Sequence, residues 1–273
     1  MVNRRIRWVC RGLLAAASLA GAQAVGGELP QCPSRPISFA LYEHGHLYDM
    51  NSGRGIDREV VESLARLSGC RFEFLPRSRA RIWHDLQLGT LMMTGSAIPT
   101  PERRGLVRFV PYLSVKNFVL VRQSLAVKSA EEFAATPQLR WGAVRSYRHG
   151  EAADRFLTGL RAQGRLAEDN DLRTAFRSFA NGRTDALFAQ APVYVKYLAE
   201  YPPGETVRIE DWFPNDPPVI GALAFSKHYF SAEQVERWRD LVEKMRTDGT
   251  LKAIFVRYLG SEQAEQMLRF KME

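Results

Sequence analysis

The chain has 273 residues, of which 45% are hydrophobic and 25% are charged, and these proportions are ordinary for a globular protein. The formal net charge is +8, but the basic residues form no dense stripe of the kind that nucleic-acid-binding proteins carry, so we expect no nucleic-acid partner. Beyond the first segment, no stretch of the sequence is long and apolar enough to cross a membrane.

Residues 1–24 have the pattern of a secretory signal peptide. Basic residues come first, an Ala-rich apolar stretch runs from Gly12 to about Ala20, and Ala22-Gln23-Ala24 offers the small residues that signal peptidase accepts. An amphipathic or buried N-terminal helix is the alternative. Four of the 38 basic residues lie in this segment, so the mature chain would keep 34 basic and 30 acidic residues. We expect a soluble, mildly basic periplasmic protein.

Two cysteines follow that segment, Cys32 and Cys70. They precede the strand-like runs Ile37–Leu41 and Phe72–Leu75, and the amphipathic run Asp57–Ser68 predicts a helix between the strands. The two strands of a β-α-β unit are parallel and begin at the same end of the sheet, which brings the sulfur atoms to one end. In an oxidising compartment we expect a disulfide, with two free thiols as the alternative.

Strands and helices continue to alternate along the first half of the chain. The predicted elements are a helix at about Arg79–Leu88, a strand at Leu91–Thr94, a helical turn at Pro99–Arg104, and extended segments at Val107–Phe109 and Phe118–Val121. This alternation predicts an α/β unit with a mostly parallel sheet.

A second α/β unit begins near Leu125. Its predicted strands are Trp141–Val144 and Ala186–Phe188. The predicted helices are Glu151–Gln163, Leu172–Ala180 and Ala191–Glu200. A further strand-like run, Val219–Phe225, is a candidate for the path back to the first unit.

The tail of the chain is predicted to be helical. Ser231 and Gln234 form a capping box ahead of an apolar stripe that extends to Met245. Two shorter helices are expected at Leu251–Leu259 and Glu262–Arg269. If this tail packs on the first unit, the first unit is discontinuous and two crossovers between the units form a hinge.

Several short motifs together resemble the family 3 extracellular solute-binding proteins, and they occur in the family's order over nearly the whole mature chain. These motifs are Gly55–Val61, Leu88-Gly89, Thr100–Arg103 with Phe109 and Pro111-Tyr112, Asn181–Ala186, and Thr247–Thr250 with Ile254 and Tyr258.

The resemblance implies the two-lobed α/β fold of type II periplasmic binding proteins, in which each lobe is a mostly parallel sheet flanked by helices and two crossing strands form the hinge. We expect lobe 1 at residues 25–118, lobe 2 at residues 119–223, and C-terminal helices at residues 224–273 that return to lobe 1. The resemblance also implies a monomer that delivers a small solute to the permease of an ABC importer at the inner membrane, without a metal or cofactor.

In this family the arginine at the position of Arg103 binds the carboxylate of the ligand. A guanidinium offers a rigid fork of donors that suits a carboxylate, which agrees with this role; a surface arginine in a charged loop is the alternative. Tyr42 and Tyr48 could stack on a ligand or could be ordinary packing residues. The same resemblance places six further residues near the cleft: Arg79, Ser96, Tyr147, Arg148, His149 and Gln190.

The sequence departs from the family's amino-acid binders at Gln190. Those binders carry an acid there that receives the ammonium group of the ligand, and an ammonium desolvated against a neutral amide would lose its countercharge. Met92 likewise stands where the family has an acid. With Arg79, Arg103 and His149 also near the cleft, we expect an anionic or polar solute rather than a standard α-amino acid.

The sequence is also compatible with two other functions. One is a sensing module that presents its closed form to a receptor. The other is an enzyme similar to cyclohexadienyl dehydratase, which needs a general acid aimed into the cleft. Glu43 is the only candidate for that acid, and we expect no enzymatic activity.

The segment His44-Gly45-His46 could place two imidazoles on one side of a strand, as a metal site would require. No third ligand is evident nearby in the sequence. We therefore expect a solvated loop after the first strand.

Overall fold

The computed structural model describes residues 28–272, so the predicted signal peptide lies outside the described residues. Within residues 28–272 no helix is long and apolar enough to span a bilayer. The described chain forms two five-stranded sheets, each flanked by helices. We call the sheets and their helices lobe 1 and lobe 2.

Lobe 1 begins at the N-terminal side of the chain. Its first elements are β1 (Ile37–Leu41), α1 (Ile56–Ser68), β2 (Phe72–Pro76), α2 (Arg79–Gln87), β3 (Met93–Ala97), α3 (Pro101–Leu106) and β4 (Val107–Val115).

Lobe 2 follows after a crossing at residues 116–117. Its elements are β5 (Phe118–Arg122), α4 (Ala130–Ala134), β6 (Trp141–Val144), α5 (Glu151–Ala162), β7 (Leu166–Asp169), α6 (Leu172–Ala180), β8 (Ala186–Ala189), α7 (Ala191–Glu200) and β9 (Val207–Glu210).

The chain then returns to lobe 1 through residues 211–218. The returning elements are β10 (Val219–Ser226), α8 (Ala232–Thr247), α9 (Thr250–Leu259) and α10 (Ser261–Met267). Because β10 pairs along its whole length with β4, the return to lobe 1 starts before residue 224, the boundary expected from the sequence.

Both sheets are mixed, which corrects the expectation of mostly parallel sheets. The strand orders are β2-β1-β3-β10-β4 in lobe 1 and β7-β6-β8-β5-β9 in lobe 2. In each sheet the first three strands are parallel to each other, and the last two pairings are antiparallel. Helical crossovers produce the parallel strands. The strands β10 and β5, which the chain enters on crossing between the lobes, pair antiparallel on both sides.

The predicted disulfide between Cys32 and Cys70 is present, with the Cα atoms 5.2 Å apart. It links the segment before β1 to the segment before β2. These strands pair in parallel, with Ile37 opposite Phe72, so both cysteines lie at the same end of the sheet, as the β-α-β reasoning requires.

Each lobe has its own hydrophobic core. In lobe 1 the fully buried Trp238 of α8 packs against Phe72 and Phe225, so the C-terminal tail covers the first sheet. In lobe 2 the fully buried Trp141 of β6 packs against Phe133 and Phe156. The lobes are therefore separately packed bodies that meet at a cleft.

The two crossing segments are tied to each other by Lys116. Its Nζ donates to the carbonyl oxygens of Phe213 at 3.2 Å and Asp216 at 3.2 Å. The same atom lies 3.1 Å from a carboxylate oxygen of Asp211. These contacts fix the outgoing segment against the returning one at the site of the expected hinge.

Candidate functional site

A cavity lies between the two lobes. Strands β1 and β3 of lobe 1 and strands β6 and β8 of lobe 2 point their carboxyl ends at it, which is where α/β sheets bind ligands. The cavity volume is about 40 Å³, room for about three water molecules. This closed arrangement suits a compact solute.

Eight of the nine predicted site residues line this cavity. They are Tyr42, Arg79, Ser96, Arg103, Tyr147, Arg148, His149 and Gln190. The lining also includes His44, Asn117 and several apolar side chains. Among the residues that the structure describes, no aspartate or glutamate lines the cavity, so its charged lining is entirely cationic.

The wall contributed by lobe 1 is a continuous stack of rings and guanidinium groups. His44 stacks on Tyr42 with ring centroids 4.9 Å apart, and the guanidinium carbon of Arg79 lies 4.3 Å from the centre of the Tyr42 ring. Trp83 continues the stack, at 5.0 Å from Arg79 and 4.1 Å from Arg103. Cation–π contacts of this kind hold guanidinium groups in place at low cost in solvation. The Tyr42 ring already contacts His44 and Arg79, and it holds the Arg79 guanidinium in position.

Arg103 faces the cavity from the short helix α3. The helix begins at Thr100, whose side chain accepts a hydrogen bond from the Arg103 amide at 3.3 Å. The Arg103 guanidinium donates from Nη1 to the Ile98 carbonyl at 3.1 Å and from Nη2 to the Ser146 carbonyl of lobe 2 at 2.9 Å. Burial, together with the nearby Arg79 and Arg148, lowers the pKa of Arg103 to about 9. The group remains cationic at neutral pH and already joins the two lobes.

Arg79 is the first residue of α2 and is only 4% exposed. Its Nη2 donates to the Ser96 carbonyl at 3.3 Å. Its Nη1 is buried and has no hydrogen-bond partner within the described chain. A buried charged donor without a partner is costly, and this makes Arg79 a strong candidate for contact with an anion.

Ser96 holds the base of this wall in an unusual backbone conformation, with φ of 45°. Its amide donates to the Tyr112 hydroxyl at 2.8 Å, and its Oγ donates to Asp57 at 2.9 Å. Its carbonyl accepts hydrogen bonds from Tyr42 at 3.0 Å and from Arg79. Burial raises the pKa of Asp57 to about 6, against the opposing hydrogen bonds from Tyr112 and Ser96. Asp57 and Tyr112 thus position the residues that face the cavity.

Lobe 2 closes the cavity with the segment after β6. The Tyr147 hydroxyl donates to the Glu43 carbonyl of lobe 1 at 3.0 Å, and the Tyr147 ring packs edge-on against Tyr42. Burial and the neighbouring Arg148 lower the pKa of His149 to about 4, so its imidazole is neutral at pH 7. Arg148 itself lies at the rim, 3.4 Å from the exposed carboxylate of Glu102.

His44 is one of the cavity residues that sequence reasoning missed, because its segment was expected to be a solvated loop. It is 8% exposed, and burial together with Arg79 and His149 lowers the pKa of its imidazole to about 3. The loop is buried because it docks on lobe 2, where the His46 amide donates to the Pro192 carbonyl at 2.8 Å. The sequence did carry a signal for His44: it lies two residues after Tyr42, and alternate residues of an extended chain share a face, so both side chains point the same way.

Tyr48 lies elsewhere. It is 3% exposed and belongs to the hydrophobic core of lobe 1, away from the cavity lining. The loop turns back on itself, with the His44 amide donating to the Tyr48 carbonyl at 2.8 Å. This turn directs Tyr48 into the core, so the idea that it stacks on a ligand is corrected.

Glu43 is also absent from the cavity lining. Its carboxylate accepts hydrogen bonds from the Met50 amide at 3.0 Å, from Arg173 at 2.9 Å and from the Tyr197 hydroxyl. Burial raises the pKa of Glu43 despite these contacts. The carboxylate is therefore committed to contacts between the lobes and is not aimed at a ligand.

Within residues 28–272 no group of three or more His, Cys, Asp or Glu side chains could hold a metal ion.

Solved structures with the same fold include several binding proteins. The arginine-, lysine-, histidine-binding protein ArtJ from Geobacillus stearothermophilus matches with a TM-score of 0.69 and 16% identity, over 85% of this chain and 100% of that chain. An ancestral arginine-binding protein bound to glutamine matches with a TM-score of 0.67 and 22% identity, over 82% and 98%. The ancestral amino acid-binding protein AncCDT-1, a precursor of cyclohexadienyl dehydratase, matches with a TM-score of 0.65 and 23% identity, over 82% and 95%.

At these identities the structural matches show the fold, and no curated protein sequence matches the chain. The family assignment comes from a different comparison. The model of the bacterial extracellular solute-binding proteins, family 3, matches residues 42–261, which include every described strand after β1 and the whole cavity lining. The chain therefore belongs to the bacterial extracellular solute-binding proteins, family 3.

Proposed function

We propose that this protein captures a small anionic solute in the periplasm and presents it, as a monomer, to the permease of an ABC importer. The observation that supports this most directly is the cavity lining, which contains three arginines and, among the described residues, no carboxylate. The family and the predicted export signal support the location and the importer.

The charge of the cavity favours an anion over a zwitterion. Arg79 and Arg103 are 4% and 7% exposed, so a carboxylate between them would exchange its water shell for fixed donors. The ammonium of an α-amino acid would meet Gln190 and the neutral His149 at the opposite wall, with no negative charge to receive it. Desolvation of an uncompensated charge is expensive, so an amino acid should bind more weakly than an acid of the same size.

The cavity lining is divided between the two lobes, so a bound solute would hold the lobes together. The solute docks first on the wall of lobe 1, which holds Arg79 and Arg103 in a preformed stack. Tyr147 and His149 of lobe 2 then cover it. The solute stabilises the closed form only to the extent that it binds that form more tightly than the open one.

An enzymatic role has less support than binding. The general acid that a dehydratase-like reaction requires was expected to be Glu43, and its carboxylate is engaged by Arg173 and Tyr197 outside the cavity lining. A sensing role would use the same cavity with a different membrane partner. Co-purification with a permease, as opposed to a receptor, distinguishes the importer from the sensor.

The test is calorimetric titration of the mature protein with a panel of short carboxylates, after a thermal-shift screen for stabilising ligands. The variant Arg103→Gln removes the charge that faces the cavity. We expect it to weaken binding of the best carboxylate by about 2–5 kcal/mol, because a desolvated ligand charge loses its partner.

The matched control is Arg104→Gln, one residue along the same helix, where the side chain is exposed and does not line the cavity. We expect wild-type affinity from this variant. Equal affinity of Arg103→Gln and the wild-type protein, or a panel in which only amino acids bind, would contradict the proposal.

A further inference from the structure

We propose that the solute is a compact carboxylate that carries an uncharged hydrogen-bonding group next to its acid group, that is, a hydroxy acid or an oxo acid. This rests on the proposed function and names the class of anion. Some polar atoms of the cavity lining have no hydrogen-bond partner among residues 28–272, and they mark where polar groups of the solute fit.

The first such atom marks the carboxylate end of the site. Nη1 of Arg79 is buried and has no hydrogen-bond partner in the described chain, while Nη2 is held by the Ser96 carbonyl at 3.3 Å. The stack with Tyr42 and Trp83 fixes the guanidinium plane. One charged nitrogen is thus left in a fixed place for an anionic oxygen.

A second unpartnered atom lies in the same wall. Nδ1 of His44 is buried without a hydrogen-bond partner, and the ring is fixed by Tyr42 on one side and by the edge of Tyr147 on another. Burial beside Arg79 keeps the imidazole neutral. A neutral imidazole offers one donor and one acceptor, so it can pair with an uncharged polar group but brings no countercharge for an ammonium.

The opposite wall is also uncharged, and its amides have a defined orientation. The Asn117 side-chain nitrogen donates to the His149 carbonyl, and the Asn117 oxygen accepts from Gln190 Nε2 at 3.1 Å. The Gln190 side chain donates through Nε2, and its Oε1 accepts no hydrogen bond from the described residues. A free amide oxygen accepts a hydrogen bond from a hydroxyl group.

Together these atoms form a site with one cationic end and one neutral polar end. A simple fatty acid would fill the cationic end and leave His44 Nδ1 and Gln190 Oε1 unpaired, which costs binding free energy. A hydroxyl group next to the acid would pair with the neutral end without introducing a charge, because it can donate to Gln190 Oε1, whereas a carbonyl group would pair there by accepting a hydrogen bond from His44. The cavity volume of about 40 Å³ in this closed arrangement favours a small carbon skeleton.

The test uses acids that differ only in the substituent at the carbon next to the carboxylate. Three skeletons are titrated by calorimetry into wild-type protein: acetate, glycolate and glycine; propionate, lactate, pyruvate and alanine; and butyrate, 2-hydroxybutyrate and 2-aminobutyrate. We expect the hydroxy or oxo acid of at least one skeleton to bind ten-fold or more tightly than the unsubstituted acid, and the amino acid to bind most weakly.

The role of His44 is tested with His44→Phe, which keeps a ring in the stack and removes the polar nitrogens. We expect this variant to lose the preference for the substituted acid, measured as the ratio of the dissociation constants of the unsubstituted and substituted acids of one skeleton. The control is His84→Phe, at an exposed position of α2 outside the cavity lining, which should retain the full preference.

The outcomes separate this inference from the proposed function. If the unsubstituted acid binds as tightly as the substituted ones for every skeleton, the inference is wrong and capture of an anion stands. If only the amino acids bind, both are wrong. If His44→Phe keeps the full preference, the assignment of the neutral end to His44 is wrong.

Discussion

The two buried arginines of the cavity differ in how many of their nitrogen atoms are already hydrogen-bonded. Arg103 uses both terminal nitrogens for carbonyl oxygens, one of them across the cleft on Ser146. Arg79 uses one and leaves the other without a partner in the described chain. In the proposed binding site, Arg103 would therefore couple the solute to closure, while Arg79 would offer the solute an unshared donor. The motif around Arg103 was readable from the sequence, but this division of roles depends on contacts that only the folded chain makes.

At the same scale, the neutral histidines make stability depend on pH. The pKa of His149 is lowered from an ordinary value of 6.5 to about 4, by burial first and by Arg148 second. Between pH 4 and pH 6.5 the unfolded chain binds more protons at this residue than the native protein does. The contribution of His149 to the stability of the native state is therefore fully present above pH 6.5 and is lost as the pH falls toward 4.

We expect the free energy of unfolding of the wild-type protein to fall by about 2 kcal/mol more than that of His149→Asn between pH 7 and pH 5. Urea unfolding of both proteins at the two pH values measures this difference. Other titrating groups, including Asp57 and Glu43, are present in both proteins, so their contributions cancel in the comparison. An equal loss of stability in the two proteins would rule out a neutral buried His149.

At the scale of elements, the loop from Glu43 to Met50 contacts lobe 2 at a place separate from the interlobe cavity. Glu43 contacts Arg173 of α6 and Tyr197 of α7, and Asp49 lies 3.3 Å from Arg173 and 3.5 Å from Lys196. These contacts stabilise the closed arrangement whether or not the solute contributes. The closure equilibrium should therefore respond to changes in this loop.

Glu43→Gln keeps the shape of the side chain and removes its charge from Arg173. We expect the closed form to lose about 1.5–3 kcal/mol, since hydrogen bonds to charged groups are worth about that much. Small-angle X-ray scattering should then give a larger radius of gyration for this variant. The control is Glu62→Gln, which removes a surface ion pair within α1, and an unchanged radius in both variants would show that the loop does not control closure.

Two short, partly exposed strands were not predicted by the sequence patterns. The strands β7 and β9 have four residues each and lie at the two ends of the lobe 2 sheet. All their residues are at least partly exposed, so neither carries the buried run or the alternation that identifies a strand. By contrast, β6, α6 and α7 were predicted at their observed bounds, because their apolar residues are buried in a regular pattern.

At the scale of the whole molecule, the order of elements was predictable and the direction of the strands was only partly so. Local patterns identify a strand, but its direction depends on the path by which the chain enters the sheet, and β10 enters from the other lobe. The cavity shows the same limit. Arg103 and Ser146 are 43 residues apart in sequence and meet only because the lobes close.

The account rests on an anion held between the lobes by buried arginines. The measurement that tests this most directly is a crystal structure of the mature protein with the carboxylate that binds most tightly. We expect closed lobes and a carboxylate oxygen within hydrogen-bond distance of Arg79 Nη1, with Arg103 beside it. A carboxylate bound outside the interlobe cavity, or bound in the cavity out of reach of both arginines, would contradict the account.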